Sequence, residues 1–211
     1  MRKLFLIVPA LFIGISLSAQ YAGYSPVADA AKFKVDFSEA TKKILSIKSD
    51  FVQEKNLSML SEKITSKGKF WFKKENQVRM QYSQPYQYLM ILNKDKVFIR
   101  DGQKENKIST RTNKLFQQIN KIMIDCMQGT ALNNPDFKTK VFENKMNSLI
   151  ELTPVTKGLK ELFRSINVVV DRKDFSVSSI EMLELSDDNT LFRFNNKELN
   201  AAIPDSLFTI K

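Results

Sequence analysis

Between residues 68 and 101, apolar and polar side chains alternate in three successive runs separated by polar turns. Phe70 and Phe72 point one way, while Lys69, Trp71 and Lys73 point the other. Lys74-Glu75-Asn76-Gln77 is a turn. After it Val78, Met80 and Tyr82 share a face, with Gln77, Arg79 and Gln81 opposite. Pro85 interrupts the chain. Residues 89–92 are continuously apolar, which predicts a strand covered on both faces. Asn93-Lys94-Asp95 turns the chain again, and Val97 and Ile99 begin the next strand. Sequential strands joined by tight turns pair as antiparallel neighbours.

The pattern extends both ways from this meander. Asp36-Phe37-Ser38-Glu39 has the form of a capping box, and Phe37, Ala40, Ile44 and Leu45 then share one helical face. A helix is predicted from Asp36, with residues 20–34 as a short leader, either ordered or frayed. Residues 51–55 alternate without declaring which face is buried, and residues 60–65 form a weak second strand. Residues 112–129 predict the strongest helix: Leu115, Phe116, Ile119, Ile122, Met123, Cys126 and Met127 recur at intervals of three and four. Thr112 suits its start and Gly129 its stop. The remainder returns to strands, at residues 149–152 before Thr153-Pro154, at 162–170, around Ile180, Met182 and Leu183, and at 191–194. An apolar tail at residues 203–208 is expected to seal one end. An antiparallel sheet of about ten strands curls. Two helices are a thin cover for it, so a gap between sheet and helices is expected.

Composition narrows the function. Arg2 and Lys3, an apolar run over residues 4–17 and small residues through Ala19 have the order of a secretory signal peptide, residues 1–19. The apolar run is short for a membrane span, which needs about 20 residues. Residues 20–211 read as one domain with a sizeable core. The single Cys rules out an internal disulfide. The formal charge of +10 comes from lysines scattered along the chain, which fits solvated strand edges better than a nucleic-acid surface. With no His, His triads and His metal sites are excluded. Cys126 falls on an apolar helical stripe, where a buried inert thiol is expected. Ser66 and Lys69 have the spacing of a Ser–Lys pair but precede a strand instead of opening a helix. Asp187 and Asp188 are turn residues that point apart. No catalytic residue, metal or cofactor is expected. The 16 Phe and 8 Met suit an adaptable apolar surface.

Several segments resemble the outer-membrane lipoprotein carrier (LolA) family: Phe51-Val52-Gln53, Gly68-Lys69-Phe70-Trp71-Phe72-Lys73, Asn76-Gln77-Val78-Arg79-Met80-Gln81-Tyr82 with Pro85, Leu152-Thr153-Pro154, residues 190–194 and the 203–208 tail. The resemblance implies an α+β fold, an open antiparallel half-barrel β-sheet covered by a lid of short α-helices. It implies a monomeric periplasmic carrier that shields lipoprotein acyl chains between inner and outer membrane, and no enzyme. Its partners would be lipoproteins, an ATP-driven release complex at the inner membrane and an outer-membrane receptor or acceptor, with no nucleic acid. A lipid- or lipoprotein-binding envelope sensor on a similar half-barrel is the alternative. Phe70, Phe72, Val78, Met80, Leu89, Ile91, Ile119 and Met123 are expected to line the cavity. Trp71 and Met90 would replace some of them if the other strand faces look inward. The family has a basic latch residue after the Trp strand, commonly in Arg-Pro-Asn; this chain has Lys74-Glu75-Asn76, which puts Lys74 in that role. N-terminal sequencing of the exported protein should read from Gln20; a chain that still begins at Met1 would refute the signal-peptide assignment.

Overall fold

The computed structural model describes residues 21–210, apart from Ser61, Glu75, Asp95, Gln103 and residues 110–113; for Leu60, residues 105–109 and residues 114–117 only the backbone is described. The expected signal peptide and the Thr112 cap lie outside the described residues. In chain order the elements are β1 (Ser25–Pro26), α1 (Ala30–Lys42), β2 (Ser46–Leu57), β3 (Glu62–Lys73), β4 (Gln77–Gln84), β5 (Tyr88–Asn93), β6 (Lys96–Asp101) and β7 (Lys104–Ser109). Then come α2 (Lys114–Gln128), β8 (Phe137–Glu143), β9 (Asn147–Pro154), α3 (Lys157–Lys160), β10 (Phe163–Asp171), β11 (Val177–Glu184) and β12 (Asn189–Leu199).

All twelve strands form one antiparallel sheet in the order β1-β8-β9-β10-β11-β12-β2-β3-β4-β5-β6-β7. Two meanders, β2 to β7 and β8 to β12, join where β12 pairs with β2. The edges β1 and β7 do not pair with each other, so the sheet stays open. Three strands go beyond the sequence pattern, the two-residue β1 and the full strands β7 and β8. β7 (Lys-Glu-Asn-Lys-Ile-Ser) and β8 (Phe-Lys-Thr-Lys-Val-Phe-Glu) are too polar to declare themselves, and their neighbours β6 and β9 draw them into the ladder. The weak strand at 60–65 is the start of β3, which pairs with β2 from Leu57↔Glu62 to Ser46↔Lys73.

Each helix is placed by an apolar stripe. Helix α1 buries Phe33, Phe37 and Thr41, and Ile44 continues the stripe just beyond it. Phe33, Phe37 and Phe175, in the β10–β11 turn, form an aromatic trio with centroids 5.8–5.9 Å apart. The helix begins earlier than the capping-box reading places it. Asp29 is the cap and accepts from the Lys32 backbone N–H at 2.9 Å, while Asp36 lies mid-helix, 2.8 Å from Lys32 Nζ. Phe33 explains the difference, because its burial pulls another turn into the helix. From Tyr21 to Asp29 the expected leader is ordered. The Tyr21 hydroxyl donates to Glu151 (2.7 Å) and reaches Asn167 (3.0 Å), and its ring meets Phe142 edge-on at 5.1 Å. Leu45, expected on the apolar face of α1, is exposed. Helix α2 ends at Gly129, whose positive φ of 74° favours glycine. A Cβ there would lie 2.1 Å from Thr41 Oγ1 of α1, so the small residue also lets the two helices touch.

Apolar side chains fill both faces of the sheet. The larger core, on the helix side, runs from Phe70, Phe72, Val78 and Met80 to Ile150, Leu152, Ile166 and Ile180. The smaller one, on the outer face, contains Leu89, Ile91, Phe98, Ile203 and Phe208, with Trp71 beside it. The tail therefore covers the outer face of β4 to β6 and does not seal an end. Arg79 Nη1 donates to the Leu207 carbonyl at 3.0 Å and stacks 5.6 Å from the Trp71 ring, and Asn93 Nδ2 donates to the Phe208 carbonyl at 3.1 Å. Phe208 is fully buried. Phe208→Ala should lower unfolding free energy by about 3 kcal/mol, the usual cost of truncating a buried Phe. Denaturant titration checks this, and an unchanged midpoint would show that the tail does not hold the outer face.

Candidate functional site

Where strands carry their inward side chains, the series changes character at one end of the sheet. On β2 it runs Phe51, Gln53, Lys55; on β12, Phe194, Phe192, Thr190; on β11, Ile180, Met182, Glu184; on β4, Met80, Tyr82, Gln84. Each strand is apolar toward the middle and polar toward the end that carries the β2–β3, β4–β5 and β11–β12 turns. Between this part of the sheet and α2 lies a cavity of about 420 Å³. Met80, Met90, Met123, Met182, Ile119 and Phe192 give it apolar walls, and Gln53, Lys55, Glu184 and Thr190 give it a polar lip. Leu162 and Phe163, at the start of β10, close one side, and the half-exposed Leu185 stands at the rim. Most of these wall residues are methionine or phenylalanine on facing elements. Such side chains adapt their shape and make contacts without direction.

The expected lining residues fall into three groups. Met80, Ile119 and Met123 line the cavity, as does Met90, the alternative on β5. Phe70, Phe72 and Val78 share the same face but are packed in the core beneath the helices, away from the cavity wall. Leu89 and Ile91 are corrected: both face outward, into the cluster under the C-terminal tail, together with Trp71. Pairing decides this. Met80 lies opposite Met90 and Val78 opposite Leu92, so Met90 and Leu92 take the inward positions and their neighbours must point out. The lining residues that the pattern missed, Tyr88, Phe163, Met182 and Phe192, come from strands far apart in the chain. Their signal was the shared inward series, which needs the register to be read.

Polar groups in the wall are mostly satisfied. The Tyr82 hydroxyl donates to Gln53 Oε1 at 2.7 Å, and its ring meets Phe51 and Tyr88 edge-on at 4.8 and 5.3 Å. Phe51 can lie flat against β3 because residue 68 is glycine; a Cβ there would meet the ring at 2.8 Å and the Gln81 carbonyl at 2.2 Å. Asn120 differs: it lines the cavity at 5% exposure, and its amide nitrogen has no acceptor. Leaving such a donor unmet costs about 1–3 kcal/mol. Cys126 is buried on the inward side of α2, and burial raises its thiol pKa. Asp187 ion-pairs with Arg164 at 2.6 Å, and Asp188 accepts from the Ser58 backbone N–H at 2.8 Å, so the Asp pair pins turns at the rim. Among the described residues, no group of three or more Cys, Asp or Glu side chains could hold a metal ion.

The β3–β4 turn touches both helices. Lys74 Nζ donates to the carbonyl of Lys42, the last residue of α1. Gln128 Nε2, at the end of α2, donates to Asn76 Oδ1 at 3.0 Å. A lysine is also favoured at a helix C-terminus, where the peptide dipoles leave partial negative charge. Among the described residues, no helix is long and apolar enough to cross a membrane.

Residues 42–211 match the family model of the outer membrane lipoprotein carrier protein LolA. No curated protein matches the chain. Its fold is similar to that of MucB, at 13% identity and a TM-score of 0.52 over 89% of this chain and 65% of that one. The MucA/MucB complex of Pseudomonas aeruginosa gives 12% identity and a TM-score of 0.50 over 87% of this chain and 62% of the other. An uncharacterized conserved protein from Thermus thermophilus gives 7% identity and a TM-score of 0.51, over 87% and 95%. The chain thus spans about two thirds of the MucB chains it resembles.

Burial, with Tyr88 nearby, raises the Tyr82 phenol pKa above its ordinary value of 10.0. The folded phenol keeps its proton to higher pH than the unfolded one. Its stabilising contribution is therefore complete below about pH 10 and is lost as pH rises beyond that. Unfolding free energy measured between about pH 9 and pH 11 should fall less in Tyr82→Phe than in the parent protein. An equal fall would place the alkaline sensitivity elsewhere.

Proposed function

We propose that this chain, which belongs to the outer membrane lipoprotein carrier family, is a periplasmic carrier that shields lipoprotein acyl chains under α2 and moves them from inner to outer membrane. The observation that carries this reading is the cavity of about 420 Å³, with apolar walls, a polar lip and no occupant from the protein's own core. Each acyl CH₂ exposed to water costs about 0.8 kcal/mol, so a lipoprotein cannot cross an aqueous gap with its chains bare. Met80, Met90, Met123 and Met182 can wrap a chain without directional bonds that would resist release. The closed volume lies near the lower end of the range of about 300–1,000 Å³ for ligand sites. Two or three chains enter only when α2 lifts and brings Phe70, Phe72 and Val78 into the wall. The protein binds and does not catalyse. It works as a monomer, taking cargo from an ATP-driven complex at the inner membrane and handing it to an acceptor at the outer membrane.

The Lys74 and Asn76 contacts serve as the lid latch. Cys126 reports on it, since a buried thiol reacts only when α2 moves away. Gln128→Ala, which removes the bond between α2 and the β3–β4 turn, should raise the labelling rate of Cys126 by roughly the factor that losing one neutral hydrogen bond implies, about fivefold. Equal rates would remove that bond from the latch.

A second reading is a lipid- or lipoprotein-binding envelope sensor. The likeness to MucB, solved in complex with MucA, supports it. Depletion in cells separates the two. A carrier's loss should leave lipoproteins in the inner-membrane fraction, whereas normal lipoprotein distribution would overturn the transport reading and favour the sensor.

A further inference from the structure

We infer that Asn120 is a hydrogen-bond donor to an acyl carbonyl, and that the cavity therefore recognises acylated lipid and not simply any oily chain. This role rests on the cavity's proposed use as an acyl site and adds a point of chemical recognition to it. Asn120 sits on α2 between Ile119 and Met123, in the wall of the cavity, among side chains that are otherwise apolar on that helix face. It is 5% exposed, and its amide nitrogen finds no acceptor and no solvent. Of the three buried side-chain nitrogen and oxygen atoms without partners among the described residues, it is the one whose residue lines this cavity; the others belong to Ser49 and Arg79. Buried donors are almost always paired, so an orphan needs a reason. A leucine at this position would carry no donor and so no such cost. The nearby Tyr82–Gln53 pair is already made, with the Gln53 oxygen taken by the tyrosine hydroxyl. In the closed protein the nitrogen is shut off even from the open space of the cavity, so its acceptor arrives with an occupant that displaces α2 and lets the amide turn toward it.

Position selects the class of acceptor. α2 ends where it meets α1 and the β3–β4 turn, at the side of the molecule away from the polar lip. Asn120 lies two turns before that end, and Met123 and Met127 follow it inward. A chain lying along the helix with its tail toward Met127 has its head near Asn120, before the lip of Gln53, Lys55 and Glu184. In an acylated lipid the first polar atom met on leaving the chain is the carbonyl oxygen of an ester or amide, an acceptor with no proton of its own. That chemistry matches a lone N–H donor at the edge of an apolar wall. An alkane or ether-linked chain offers no carbonyl there.

The test is displacement of a fluorescent apolar dye from the purified protein by three probes of equal chain length. They are monopalmitoyl glycerol (ester), N-palmitoyl ethanolamine (amide) and the hexadecyl ether of glycerol. In the parent protein, an ester or amide should displace the dye at about fivefold lower concentration than the ether, the worth of one hydrogen bond. Which of the two does so identifies the linkage recognised. In Asn120→Ala and Asn120→Leu that preference should vanish, with the ether bound as well as before or better. The ratio is read within each variant, and thermal unfolding of each confirms that it is folded. No preference in the parent, or a preference that survives both substitutions, overturns the role of Asn120 while leaving lipid binding intact. Failure of all three probes to displace the dye overturns the acyl-site reading as well.

Discussion

Apolar surface on a twelve-stranded sheet has to be removed from water, and this chain has few elements with which to do it. Its two substantial helices, α1 and α2, lie on the inner face, and its C-terminal tail lies on the outer face. Where the helices press on Phe70, Phe72 and Val78, the core is filled. Where the inward series turns through Met80, Met182 and Phe192 toward the lip, the cover runs short and a cavity of about 420 Å³ is left. The void follows from a mismatch in extent between a wide sheet and a narrow cover. Close packing elsewhere keeps it in place, since interiors tolerate few gaps.

The outer face shows the opposite solution. Leu89, Ile91 and Phe98 are sealed by Ile203 and Phe208, and the tail is fixed by backbone carbonyls that accept from Arg79 and Asn93. Arg79 combines that bond with a place over Trp71, a task for which a planar guanidinium is suited. The inner cover is tied mostly by side chains at the ends of its helices. Lys74 and Asn76 join both helices to the β3–β4 turn, Asn200 donates to the Lys43 carbonyl just after α1, and on α2 Lys121 pairs with Asp136 and Asp125 accepts from Asn134. The outer face is thus closed by a packed apolar tail, whereas the inner cover combines packing with bonds near the surface.

Much of this architecture is visible in the residues. Alternation over residues 69–82 places Phe70, Phe72, Val78 and Met80 on one face, and the three-and-four spacing of Ile119, Ile122, Met123, Cys126 and Met127 places α2. The continuous apolar run at 89–92 correctly signals cover on both sides. Other features are silent. β7 and β8 are strands because their neighbours offer unpaired backbone groups, whatever their own side chains prefer. The start of α1 follows the burial of Phe33 and not the capping-box letters at Asp36 and Glu39.

The sequence by itself determined periodicity, and with it the elements, their two-sidedness and the family likeness carried by the meander and the tail. Only the tertiary structure decided which side of each strand looks inward. A period of two defines two faces but gives neither of them a direction, and in β5 both are apolar. Register against β4 sent Met90 in and Leu89 and Ile91 out. The cavity wall needed more still, because Met80, Met123, Phe163, Met182 and Phe192 meet only through packing among elements remote in the chain. A void is a property of the space between elements, so no local pattern of residues encodes it.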